Sequence, residues 1–333
     1  MSNIIELVLR TNIYTQPIQF LLAIITNTFN IRILCSRTLH LSACTHYFLA
    51  YAILSIIYAC LLCPIQFARG FSIDLIHGKI SCKIHAYLLF VIPLQANIMI
   101  ILASFDRYCS SSQICRLQST SSIRIARKYI LSSILFCLIY MLPMLFIYNW
   151  DKNLRKCLLN SNTIISIYIC SQVIIYYILS PILMISFGIL TIYNIHQQST
   201  RIKPLITSTQ RRRTEGQLAR MLVLQVIVHI ILVLPFGILY SINSFIPSTQ
   251  TPNIIAIRLI FVTWQQCDYF VSFFLYILSA NIYREQFIII IKSINCVKEQ
   301  TQYFLQSEKI SSDHLHMVKI DRLFLNKKNH SLM

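Results

Sequence analysis

Glycine is nearly absent, with 5 in 333 residues. A Gly-rich phosphate-binding loop is therefore not expected. Charge is scarce as well. Charged residues make up 12% of the chain, about half the usual share of a soluble domain. Acidic side chains are the rarer kind, 11 against 29 lysines and arginines, for a net charge of +18. A nucleic-acid binder of that charge would need far more polar surface, so nucleic acid is not an expected partner. Hydrophobic residues account for 56%. Disorder over most of the chain is excluded, because disordered segments are poor in apolar residues. A soluble protein this apolar would expose large sticky patches. The expected solvent is the lipid bilayer.

A helix that crosses a bilayer needs roughly 20 mostly apolar residues. Seven segments qualify: 17–36, 46–67, 82–108, 129–148, 164–193, 218–245 and 254–280. They are long continuous runs, unlike the short alternating strands of a membrane β-barrel. The expected fold is an all-α membrane protein, a seven-transmembrane helix bundle. Residues 1–16 would form a short extracellular N-terminus and 17–280 the transmembrane domain. Residues 281–296 would form a cytosolic amphipathic interfacial helix, and 297–333 a cytoplasmic tail. The first sixteen residues include Glu6 and Arg10 and lack a signal-peptide layout. The first span is thus expected to insert as a retained anchor.

The excess positive charge sorts by side. With the N-terminus outside, 21 basic residues fall on the inner side, including Arg107, Arg124, Arg127 and the run Arg211-Arg212-Arg213. The other 8 fall outside: Arg10, Arg69, Lys79, Lys83, Lys152, Arg155, Lys156 and Arg258. The asymmetry points to N-out, C-in. The arginine run reads as a topology signal beside anionic headgroups or as a contact for a partner protein, and the two readings are compatible.

Of twelve cysteines, ten fall in spans or on the inner side, where thiols stay reduced. Cys82 and Cys157 lie on the oxidising side. They read as a disulfide tying the second outer loop to the top of span three, the alternative being two free thiols. At the other end of that span stands Asp106-Arg107-Tyr108. A charged pair at a membrane boundary can snorkel to water. Arg107 follows Cys82 by 25 residues, so one helix carries both landmarks.

On these features the chain resembles the rhodopsin-like (class A) G-protein-coupled receptors, over roughly residues 20–296. The D-R-Y triplet, the cysteine pair and their spacing carry most of the resemblance. Asn27 in span one, Gly78 before Cys82, and Pro64, Pro143, Pro181 and Pro235 in spans two, four, five and six also fit. Tyr276 ends span seven, followed by Tyr283-Arg284 where the family opens a short inner helix. There are departures. The span-two aspartate of the family is Ser55. The N-P-x-x-Y motif reads Ser272-Phe273-Phe274-Leu275-Tyr276. The aromatic residue before the span-six proline is Val233, and the span-five tyrosine is Ile189.

The resemblance implies roles. Arg107 would be the switch, pairing with Asp106 and with Glu215, which lies at the family position for its acidic partner. The alternative for Glu215 is a solvated helix-end carboxylate. Ligand would bias span six outward and open a groove for a heterotrimeric G protein. Asp268 is the only carboxylate deep in a span, and such a group is a functional hypothesis by default. It would take over the role of the missing span-two aspartate, facing Ser55, Asn27, Asn97 and Ser272, and hold a sodium ion or a proton. The alternative is a protonated structural aspartate. His229 reads as a neutral core histidine bonded to a neighbour.

The ligand is expected between the spans on the outer side. Leu89 stands where amine receptors carry an acidic anchor, and span seven has no lysine for a retinal Schiff base. These features argue against a monoamine receptor and an opsin. A basic outer mouth favours an anionic ligand or a peptide with an acidic end, or reflects ordinary loop solubility. By family position the pocket residues are Leu89, Gln95, Gln172, Tyr240, Trp264 and Gln265. Cys296, at the end of the interfacial helix, is a candidate for palmitoylation. No side-chain spacing suggests a metal site or a nucleophile–base pair, so an enzyme is not expected. The rival reading is a seven-span chemosensory protein or small transporter without G-protein coupling. A transporter tends to show internal repeats, and none is evident.

Overall fold

The computed structural model describes residues 3–293, except 38, 72, 74, 77, 113, 115–117, 119, 152–155, 160–162, 202–208 and 246–250. Seven helical spans are long and apolar enough to cross a membrane. Apolar chain in lipid has no water to satisfy its backbone, so it closes its hydrogen bonds within each segment as helix.

Span one is α1 (Asn3–Leu34), span two α2 (Ala43–Gly70) and span three α3 (Lys79–Ser111). Span four is α4 (Ile123–Tyr140) and the short α5 (Met144–Ile147). A two-stranded antiparallel hairpin follows, β1 (Tyr148–Asp151) against β2 (Lys156–Leu159), with Trp150 opposite Cys157. Span five is α6 (Thr163–Val173), a π-helical segment (Ile174–Leu179) and α7 (Ser180–Arg201). Span six is α8 (Thr209–Phe245), and span seven is α9 (Pro252–Gln266) and α10 (Asp268–Ser279), separated at Cys267.

α1 begins fourteen residues before the expected start at 17. Pro17 lies inside it, and the turns before it are supported locally. Arg10 donates to Glu6 at 2.8 Å, and the Thr11 hydroxyl donates to the Leu7 carbonyl at 2.9 Å. Residues 281–293 are helical, where 281–296 was expected. Cys296 and residues 297–333 lie outside the described residues. The chain divides into Met1–Arg284 and Glu285–Met333. All of the sites below belong to the first unit.

Span one packs on span two and on both halves of span seven. Span three packs on spans two, four and five, and span six packs on spans five and seven. Span three is the most enclosed. Large apolar side chains such as Leu131, Leu135, Ile189 and Ile231 point outward, as a lipid-facing surface requires. Close packing of spans one and two depends on Gly70. A Cβ there would lie 2.5 Å from Ile13 Cγ1 and 2.9 Å from the Leu9 carbonyl oxygen. The π segment precedes Pro181, whose missing N–H leaves a gap in the ladder. Here the Ser180 N–H reaches five residues back to the Ile175 carbonyl. The wider turn sets Tyr176 and Tyr177 toward the bundle interior.

Candidate functional site: a basic cavity, a buried core cluster and a charged inner end

Cys82 and Cys157 are bonded, with Cα atoms 5.7 Å apart. The bond pins the hairpin to the start of α3. Beneath it lies a cavity of about 300 Å³, at the small end of the range for ligand pockets. Aromatic side chains supply much of the wall: Phe90, Tyr148, Tyr176, Tyr177, Phe236 and Tyr240. Three basic residues also line it, Arg69 from α2, His85 from α3 and Arg258 from α9, and no carboxylate does among the described residues. The Arg258 guanidinium sits 5.6 Å from the centroid of the Tyr240 ring, within cation–π range. Burial pushes the Tyr148 phenol above its ordinary range, with Arg258 pulling the other way.

Of the expected pocket residues, Leu89, Gln172, Tyr240 and Gln265 line this cavity. Gln95 and Trp264 do not. One residue is about 100° of helix rotation, and that step carries each of them off the cavity face. Gln95 follows Leu94 round α3 and donates to the Ser133 hydroxyl of α4 at 2.9 Å. Trp264 precedes Gln265 on α9, and 47% of it is exposed on the outer surface. Arg69, His85 and Arg258 are wall residues that the sequence reading assigned to the outer charge or left aside. The signal was present in Leu62, Gln66 and Arg69, spaced to share one helical face.

Asp268 opens α10, where a helix N-terminus favours a carboxylate. It is 5% exposed, Tyr51 2% and His229 4%. The Tyr51 hydroxyl donates to Asp268 Oδ2 at 2.9 Å, and His229 Nδ1 lies 2.8 Å from the same oxygen. The carboxylate thus joins spans two, six and seven. The neighbours expected for it bond elsewhere. Ser55 donates to the Tyr51 carbonyl at 2.8 Å, and Asn27 to the Tyr269 carbonyl at 2.7 Å. Asn97 donates to the Tyr176 carbonyl at 3.4 Å, and the Ser272 hydroxyl accepts from Asn30 at 3.3 Å. Tyr51 was missed because a tyrosine in an apolar helix carries no charge signal. The sequence leads to a neutral core histidine at 229 bonded to a neighbour, and the neighbour is Asp268.

These residues do not fit a sodium ion. A hard cation wants several oxygen lone pairs. Asp268 Oδ2 already faces a phenol O–H and an imidazole nitrogen, and the side chains expected to complete a shell bond to groups other than Asp268. Asn97 Oδ1 is buried with no hydrogen-bond partner among the described residues, but one amide oxygen is not a coordination shell.

At the far end of α3, Arg107 donates to Asp106 Oδ2 at 2.8 Å and to the Ser42 hydroxyl at 3.1 Å. Asp106 Oδ1 accepts from Ser121 at 2.8 Å. Both side chains of the pair are buried. Tyr108 stacks on Phe187 of span five, with centroids 6.0 Å apart. The side chain of Glu215 lies outside the described residues, although α8 includes its backbone. Tyr276 donates to Gln225 of span six and packs edge-on against Tyr283, which in turn donates to Asn30 of span one.

A family model described as "7 transmembrane receptor (rhodopsin family)" matches residues 27–283. No curated protein matches the chain.

Proposed function

The chain belongs to the rhodopsin family of seven-transmembrane receptors, and on that premise we propose that it binds an extracellular ligand in the cavity beneath the Cys82–Cys157 bond and activates a heterotrimeric G protein. The carrying observation is span three. One helix lines the cavity with Cys82, His85, Leu89 and Leu94 and ends on the buried Asp106–Arg107 pair. The intervening 25 residues span about 37 Å at 1.5 Å per residue. Ligand at one end and G protein at the other then bias the same element, and outward movement of span six opens the inner groove. The charge asymmetry supports N-out, C-in, and membership of a receptor family supports the plasma membrane.

The cavity favours a ligand with a negative group, because Arg258 lines it beside Arg69 and no carboxylate does among the described residues. We prefer a peptide whose acidic end enters between the spans while the rest stays above the hairpin. A cavity of about 300 Å³ admits only an end of such a chain. The test is nucleotide exchange on purified heterotrimeric G proteins, using membranes that display the receptor and a library of peptides with acidic ends. An active peptide should lose potency at least tenfold on Arg258→Gln and lose all exchange on Arg107→Ala. Exchange that survives Arg107→Ala at equal surface expression would overturn the coupling mechanism. A cationic ligand with unchanged potency on Arg258→Gln would overturn the charge reading.

A further inference from the structure

We propose that His229 takes the place of a bound cation at Asp268, so that the receptor carries the counter-charge of its buried carboxylate on span six. The latch role that follows rests on the reading above, in which span six moves. The site is built from three helices. His229 of α8 and Tyr51 of α2 converge on one oxygen of Asp268, at 2.8 Å and 2.9 Å, and all three side chains are buried. A buried carboxylate without a partner is costly, and a hydrogen-bonded opposite charge offsets that cost. The imidazole meets this need from a fixed position and occupies the oxygen that a free cation would use.

Among the described residues, the other titratable side chains around the cluster are Tyr51 and Tyr58 of α2, Tyr176 of the π segment, Cys267 at the break in span seven, and Tyr269 and Tyr276 of α10, none of them a basic residue. None supplies a second cation. His229 is therefore the group that balances Asp268, and their contact joins span six to span seven. Separating the two spans breaks that contact, which makes it a latch on the inactive arrangement. Swapping a diffusible ion for a tethered one removes dependence on that ion and places the control on a side chain.

The test compares thermal unfolding of the purified full-length receptor in sodium chloride and in choline chloride at equal ionic strength. The wild type should unfold at the same temperature in both. His229→Leu should unfold at least about 6 °C lower in choline, and sodium should restore part of that loss, because the carboxylate has lost its fixed partner and leaves room for a hydrated ion. Asp268→Asn and the double variant complete a cycle in which the double loses less than the two singles together. Stabilisation of the wild type by sodium would overturn the proposal and needs no variant to fold. Additive single losses would overturn it as well. Basal nucleotide exchange is the second readout and should rise at least twofold in His229→Leu. A wild type that activates no G protein, with the sodium pattern intact, would sink the coupling mechanism and leave the tethered cation standing.

Discussion

Breaking the Cys82–Cys157 bond should cost the receptor both stability and ligand affinity. The bond closes a loop of 75 residues. For a free chain of that length the lost closure entropy corresponds to about 4.5 kcal/mol. The chain is not free, because spans three and four stay helical in a bilayer even when the bundle loosens. Only about 20 of the loop's residues lie outside those helices, which lowers the figure to about 3.3 kcal/mol. That is two orders of magnitude in the docking equilibrium of the hairpin. The hairpin is also a wall of the cavity, through Tyr148 and Cys157. The perturbation is Cys82→Ser with Cys157→Ser, made together so that no lone thiol remains to pair elsewhere. The unfolding temperature of the purified receptor should fall by about 6–12 °C, at roughly 2–4 °C per kcal/mol. An active ligand should lose affinity on the double variant, and dithiothreitol should reproduce the effect on the wild type. A fall below about 2 °C with unchanged ligand affinity would refute the loop argument. It would mean that packing alone holds the hairpin in place.

Two further perturbations probe other parts of the bundle. Asp106→Asn removes the negative partner of a buried guanidinium, which is worth up to about 3 kcal/mol. Arg107 then keeps Ser42 as a partner, and basal nucleotide exchange should rise several-fold at equal surface expression; an unchanged basal rate would separate the pair from the switch. Gly237→Ala should destabilise, although alanine is the better helix former by about 1 kcal/mol. A Cβ at Gly237 would lie 2.2 Å from Tyr177 Cδ1, and relieving the clash costs about 1–3 kcal/mol and displaces a cavity wall. A rise in unfolding temperature would show that the Tyr177 ring moves freely.

The bundle was legible because lipid makes the code simple. Long apolar runs become helices, and spans two, three, five and seven begin within three residues of their expected starts, while spans four and six begin further upstream, at Ile123 and Thr209. The first also begins upstream, because a proline reads as a boundary in sequence, yet Pro17 is absorbed inside α1. The disulfide was legible from compartment and spacing. What stayed hidden is whatever depends on helix rotation. Gln95 and Leu94 are neighbours in sequence, but only Leu94 faces the cavity. The π segment adds a further turn error that no periodicity count includes, and it sets Tyr176 and Tyr177 on the cavity wall. The partners of Asp268 were hidden for a different reason. Charge predicts that a buried carboxylate needs a partner, but not which of several polar residues on other helices meets it.

The two buried pairs in the spans each set a nitrogen base against a carboxylate, and they differ mechanically. Asp106 and Arg107 are adjacent on one helix, at 2.8 Å. Their contact can survive any rigid movement of the bundle, so it must be broken by a group arriving from outside span three. Asp268 and His229 sit on different helices, also at 2.8 Å. Their contact cannot survive separation of spans six and seven. On the proposed mechanism the first pair would store a charge for an incoming partner, and the second would resist the movement that admits it. With Ser55 where the family has an aspartate, no carboxylate on span two answers to a diffusible ion. On that proposal the resistance would pass to a histidine four residues from Val233, on the helix that moves. Ligand in the cavity above and protein below would then act on one latch between them, and its strength is set by two side chains of the receptor itself.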